Sequence, residues 1–180
     1  MKERKFSLVT WSLKKCLKNS LSETTMDWKE YIKTLSLTVE GLSYGFNLPV
    51  SANLLEDLSA QFSLEELPRE LEELYYETNG VDELLNGEEI GHLIWTIDRV
   101  IEINKEYRTG ADFKELQIPF EQLFFIADAG NGDLFGFETL NRKFDRYDIF
   151  VWDHETDSRT WVAPNLATFI KWWTDGTIKV

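Results

Sequence analysis

The sequence has 180 residues, a net charge of −13 and a single cysteine, Cys16. This length, with 43% apolar residues, suits one domain around one core. No apolar run reaches the roughly 20 residues of a membrane span, no signal peptide is recognisable, and one cysteine excludes an internal disulfide or a multi-cysteine zinc site. We therefore expect a cytoplasmic domain with no membrane span.

The charge is unevenly distributed along the chain. Residues 1–20 carry a net charge of +5, so residues 21–180 carry −18. A surface this acidic repels nucleic acid and attracts a basic protein, although acidic excess can also simply keep a domain soluble. We expect a protein partner and no nucleic-acid partner.

Residues 1–25 form a basic N-terminal segment in which apolar residues such as Leu13 and Leu17 have helical spacing. An amphipathic helix here would contact a membrane surface or fold back onto the acidic body, and the opposite charge within the same molecule favours the second arrangement. Residues 26–180 are assigned to the α+β domain.

The first half of this domain reads mainly as helices. Residues Trp28–Leu37 predict a short helix, after which Gly41 and Gly45 are expected to break the chain. Ser51 is a candidate N-cap for a helix that runs through about Gln61.

Further helix signals follow. Pro68 suits the first turn of the next helix and Gly80 its C-terminal cap. Gly91–Trp95 is expected to form a strand, and Thr96 can cap the helix after it. Residues 108–117 predict a loop.

The stretch Leu123–Glu138 predicts the central hairpin. Two short apolar runs, Leu123–Ala127 and Leu134–Phe137, are typical of strands buried on both faces. The turn between them contains Gly130 and Gly132, at least one of which is expected to have a positive φ.

The polar residues of this turn, Asp128, Asn131 and Asp133, can hydrogen-bond the local backbone. They invite a calcium interpretation, but an EF-hand needs ligands at positions that glycines occupy here. The glycines also miss the dinucleotide-binding spacing, and the loop leads into a strand. We expect the side chains to shape the turn, with no metal and no cofactor.

Strands and one helix complete the chain. Ile149–Asp153 predicts a third apolar strand and Thr160–Val162 a short fourth. Pro164 opens a last helix that ends near Gly176. Helices come first and strands concentrate late, which predicts a single α+β domain with an antiparallel or mixed sheet and helices packed around it.

Four stretches in order resemble the SUKH superfamily of Smi/Knr-type yeast cell-wall regulators and bacterial toxin-immunity proteins. In chain order they are the helix LPRELEELYYETNG (67–80), the hairpin IADAGNGDLFGF (126–137), the strand IFVWDHE (149–155) and the last helix APNLATFIKWW (163–173). The resemblance covers roughly residues 50–180. It implies a non-enzymatic binding protein, foremost an immunity protein that neutralises a toxin, often a nuclease, by occluding the toxin's basic active face. The alternative that it implies is a regulatory scaffold that binds a cellular protein.

Catalytic motifs give little support to an enzyme. The two histidines are His92 and His154, and no serine stands in G-x-S-x-G. A hydrolase that uses Asp128, Asp133 and His154 is the alternative from another class. We assign no catalytic residues.

The binding surface is predicted from the order of the strands. Alternate turns of an antiparallel meander lie at the same end of the sheet, so the turn after the first hairpin strand should adjoin residues 154–159. Trp172 is expected to point away from the core and to anchor a partner. The predicted partner-binding residues are Asp128, Asn131, Asp133, Asp153, His154, Glu155, Asp157 and Trp172.

Overall fold

The computed structural model describes residues 25–35, 39–110 and 119–180. All but the last residue of the basic N-terminal segment, Cys16 included, and most of the loop predicted over 108–117 lie outside these residues. The helices of the described part are α1 (Trp28–Lys33), α2 (Ala52–Gln61), α3 (Arg69–Glu77), α4 (Ile97–Thr109) and α5 (Leu166–Thr174), with a 3-10 turn at Phe120–Gln122. The strands are β1 (Leu42–Phe46), β2 (Val81–Leu85), β3 (Glu88–Ile94), β4 (Leu123–Asp128), β5 (Leu134–Glu138), β6 (Ile149–Trp152) and β7 (Arg159–Ala163).

The strands form two antiparallel sheets, in which each strand pairs with its neighbour in sequence. One sheet has the order β1-β2-β3 and the other β4-β5-β6-β7. Directly after β3, the Trp95 N–H donates to the Ile126 carbonyl of β4 at 2.9 Å. The sheets therefore meet at β3 and β4, and the expected α+β domain with an antiparallel sheet is confirmed.

Helices cover both faces of the second sheet. Phe135 lies opposite Val151 and packs against Phe169 of α5, with ring centroids 4.9 Å apart. Trp152 follows Val151 and packs against Tyr107 of α4 at 5.3 Å. Because successive side chains of a strand point to opposite faces, α4 and α5 lie on opposite sides of the sheet and enclose its aromatic residues.

Local capping signals are confirmed where side-chain oxygens meet helix starts. The Ser51 hydroxyl accepts from the Leu54 N–H, and the Thr96 hydroxyl from the Arg99 N–H, both at 3.4 Å. Asn165 caps α5 directly after Pro164. None of the helices in the described part of the chain combines the length and the apolar character of a transmembrane span.

Several predicted boundaries are wrong. Gly45 does not break the chain but lies inside β1, opposite Asp82 of β2, because cross-strand pairing overrides the weak strand preference of glycine. The first helix ends at Lys33 instead of Leu37, where the Thr34 hydroxyl donates to the Tyr31 carbonyl at 2.6 Å. Helix α4 also continues to Thr109, into the predicted loop.

Candidate protein-binding site

The turn between β4 and β5 is shaped by its own side chains. Asp128 Oδ1 accepts from the Gly130 N–H, and Asn131 Oδ1 from the Asp133 N–H, both at 3.0 Å. Gly130 and Gly132 have φ angles of +80° and +108°. The predicted positive φ is confirmed at both glycines, and the polar side chains hold the turn as expected.

The turn between β6 and β7 is built in the same way. Asp153 Oδ1 accepts from the Glu155 and Thr156 N–H groups at 2.8 and 3.0 Å. Asp157 Oδ1 accepts from the Trp152 indole N–H at 2.8 Å. These bonds fix the backbone of the turn, while the Glu155 side chain stays exposed.

The two turns are joined by one histidine. His154 Nδ1 lies 2.7 Å from Asp133 Oδ1, which also accepts from the His154 backbone N–H at 3.1 Å. A Cβ atom added at Gly132 would lie 3.0 Å from the imidazole ring. The structure thus brings together the two turns that the sequence placed at one end of the sheet. Asp133 is only 7% exposed, so its carboxylate serves His154 first.

The bond between these two side chains shifts both of their pKa values. The hydrogen bond from His154 holds the pKa of the Asp133 carboxyl below its usual range. The hydrogen bond to Asp133, helped by the charges of Asp133, Glu155 and Asp153, raises the pKa of the His154 imidazole.

The negative region extends onto the first sheet. The second oxygen of Asp128 accepts from the Trp95 indole N–H at 2.8 Å. Glu83 of β2 is half-buried, and burial, followed by the charge of Asp128, raises the pKa of its carboxyl. Sequence reasoning missed Glu83, because its approach to Asp128 depends on the contact between the two sheets.

Trp172, the tryptophan predicted to anchor a partner, lies on α5 and not in either of the two turns. Trp172 of α5 is half-buried, and its ring contacts Trp161 of β7 with centroids 6.2 Å apart. Trp161 is 47% exposed and was not among the predicted residues. The structure therefore places an aromatic pair beside β7, the strand that follows the second acidic turn.

Three side chains of the joined turns offer metal-ligand geometry. One ligand atom each from Asp133, Asp153 and His154 lies within 4.8 Å of the others. Two of these groups are already hydrogen-bonded to each other.

We expect a chelator to leave the thermal midpoint of unfolding unchanged, as measured by calorimetry with and without EDTA. A fall of several degrees would show that a metal ion contributes to folding.

Substitution of the turn glycines should separate backbone strain from crowding. We expect Gly130→Val to lower the free energy of unfolding by about 1–3 kcal/mol, because a β-branched residue resists positive φ. Gly132→Val should cost more, because its side chain would also displace His154.

Gly91→Val is the matched control for this pair, since Gly91 has no positive φ and a Cβ there makes only an ordinary contact. Urea unfolding measures the three variants. Equal losses at Gly91 and Gly132 would contradict this explanation.

The stability of the joined turns should depend on pH. Because folding raises the pKa of His154, the charged imidazole stabilises the folded state. This stabilisation is complete below the pKa of His154 in the unfolded chain and is lost as pH rises through its pKa in the folded state. Because folding lowers the pKa of Asp133, its ionised carboxylate also stabilises the folded state, and this stabilisation is lost as pH falls through the pKa of Asp133 in the folded state. Their joint contribution is therefore greatest between about pH 4 and pH 6.5.

NMR titration of the His154 ring tests this expectation. The pKa should lie above the ordinary value for histidine and return towards it in Asp133→Asn. An unshifted titration in the wild-type protein would contradict it.

These features define an antiparallel α+β domain whose two acidic turns are locked side by side at one end of a sheet. The model of the SMI1 / KNR4 family (SUKH-1) matches residues 49–172, which include both turns, and the chain belongs to that family. The resemblance found in the sequence is thereby confirmed. Membership is consistent with a non-enzymatic immunity or regulatory domain. A search of the curated proteins found no significant match.

Proposed function

We propose that this chain is a non-enzymatic immunity protein that neutralises a toxin by covering the toxin's basic active face. The two acidic turns are joined through His154 and Asp133, 2.7 Å apart, and this junction is the main support for the proposal. This contact holds carboxylates from separate parts of the chain at one end of the sheet. A basic protein surface is the complementary partner.

The acidic turns are ordered before any partner arrives. Asp153 and Asp157 each accept hydrogen bonds within their own turn, so little conformational entropy is lost there on binding. Glu155 extends into solvent beside them. A negative field of this kind accelerates association with a basic surface and weakens with added salt. Fast capture suits an immunity protein, which must act before its toxin does.

The roles of the same carboxylates support binding rather than hydrolysis. Asp128 accepts from the Trp95 indole and the Gly130 N–H, while Asp133 accepts from His154 and Asn131. These hydrogen bonds give both carboxylates a structural role, in holding the turns and in linking Asp128 to Trp95. Asp133 is also only 7% exposed, which leaves its carboxylate little access to a substrate, so a hydrolase is the weaker interpretation.

Protection of living cells tests the proposal. The toxin candidate is the product of the gene beside this one, because immunity genes usually adjoin their toxin genes in the families that the sequence resembles. Cells that express this toxin candidate should survive when the chain is co-expressed. The purified chain should inhibit the toxin at a one-to-one ratio. A toxin from an unrelated system serves as the control.

Two other results would redirect the proposal. A stable complex with a cellular protein, identified by pull-down and mass spectrometry and without protection from any toxin, would favour the regulatory scaffold. Turnover of a substrate that is abolished in His154→Ala would favour the hydrolase and overturn a non-enzymatic role.

A further inference from the structure

β7 is the terminal strand of the second sheet. Its one sheet partner is β6, and within residues 25–35, 39–110 and 119–180 no strand pairs with its outer edge. Such an edge presents backbone donors and acceptors that another strand can use. Thr160 and Trp161, in the middle of β7, are both exposed. As far as the described part of the chain goes, this edge therefore has room for one further strand.

The opposite terminal strand is better protected. β1 has α1 beside it, and the Lys29 and Lys33 ammonium groups lie 5.9 and 5.8 Å from the centroid of the Phe46 ring. Lysines near an edge strand discourage pairing with another chain. β7, by contrast, contains no lysine or proline over Arg159–Ala163. Of β1 and β7, it is β7 whose outer edge the described residues leave open to addition.

An aromatic pair lies beside this edge. Trp161 is 47% exposed, and its ring meets Trp172 of α5 edge-on at an interplanar angle of 73°. Exposed tryptophans of this kind are common anchors in protein interfaces. A residue of an added strand placed opposite Trp161 would have its side chain on the same face, within contact distance.

The charge next to β7 selects the occupant. Glu155 is exposed in the turn that leads into the strand. Lys171 of α5 pairs with Asp175 at 3.1 Å, and the Arg159 guanidinium of β7 lies over the Phe120 ring at 5.5 Å. A second copy of the chain would bring another net charge of −13. The field at this edge therefore favours a basic strand over self-pairing.

We propose that β7 accepts an extended basic segment of the protein partner as an added β-strand. Main-chain hydrogen bonds to β7 would provide affinity, an apolar side chain would rest on Trp161 and Trp172, and cationic side chains would face the turn at Glu155. The inference rests on the proposed function only in taking the partner to be a basic protein.

The probe is a short capped peptide in which lysine and valine alternate. It is titrated into the full-length chain labelled with ¹⁵N, and amide shifts are followed by NMR. We expect saturable shifts at Arg159–Ala163 that weaken with salt. A peptide of alternating lysine and glycine carries the same charge with little strand preference, and it should bind at least about tenfold more weakly.

N-methylation separates strand addition from side-chain binding. Only alternate residues of an added strand hydrogen-bond to the neighbouring strand. N-methylation of one alternating set of peptide residues should therefore abolish binding, and N-methylation of the other set should leave binding unchanged. Trp161→Ala should weaken binding by about tenfold or more, whereas Ile90→Ala, at a residue on β3 that is 59% exposed, should not.

Equal binding of both methylated peptides would overturn the proposal. Shifts confined to β1, or no saturation at millimolar peptide, would overturn it as well. Any of these results together with intact protection from the toxin would leave the proposed function standing. Strand addition without protection would remove the proposed function instead.

Discussion

Asn104→Leu is expected to lower the free energy of unfolding by about 2–5 kcal/mol, because two buried backbone groups would lose their partners. Asn104 lies on α4 and is 1% exposed. Its Nδ2 donates to the Phe125 carbonyl at 2.8 Å, and its Oδ1 accepts from the Phe125 N–H at 2.9 Å. Leucine has a similar volume but can satisfy neither group.

Asn104 lies where the two sheets meet. Asn104 bonds the outer edge of β4 as a neighbouring strand would, next to the bond between Trp95 and Ile126. Its loss should loosen β4 and with it the position of Asp128 at the end of that strand. The effect on the binding site would therefore follow the effect on stability.

Asn53→Leu on α2 is the matched control, since Asn53 is an exposed helical residue. Surface changes of this kind usually alter stability by no more than about 0.5 kcal/mol. Urea unfolding of the two variants and the wild type gives the comparison. Equal stability of Asn104→Leu and Asn53→Leu would show that the bonds to Phe125 contribute little.

Local signals predicted much of the helical structure. Ser51 and Thr96 precede apolar helical patterns, and each caps a helix with its own hydroxyl. The hairpin around Gly130 and Gly132 was also predictable, because short apolar runs on both sides of a glycine-rich turn leave few alternatives. In each case the interacting atoms lie within a few residues of one another.

The early strands were not predictable in the same way. β1 contains Gly45, and β2 begins with Val81-Asp82-Glu83, so neither has a clean alternating pattern. The two strands pair across 41 residues, as between Ser43 and Leu84. Their structure is set by that distant pairing rather than by local preference.

The candidate site was predicted in outline but not in detail. Strand order placed the two turns at one end, and the contact of His154 with Asp133, 21 residues away in sequence, confirms that arrangement. The burial of Asp133 was missed because it depends on this contact. Trp161 was missed because its exposure depends on the edge position of β7 and on a register shift between β6 and β7.

We expect the basic protein partner to dock on the joined acidic turns. The variants that test it avoid carboxylates with structural roles: Asp128 binds Trp95, and Asp133 binds His154. Glu155→Lys combined with Thr156→Lys changes two exposed positions of the second turn. Glu56→Lys combined with Gln61→Lys makes the same change in net charge at exposed positions of α2.

The decisive measurement is the association rate of these two variants with the toxin that the chain neutralises, at low salt and after each variant is shown to be folded. We expect the turn variant to associate about tenfold or more slowly than the wild type. The α2 variant should slow much less, and salt should reduce the difference between them. An α2 variant that is slowed as much as the turn variant, or more, would contradict docking at the turns.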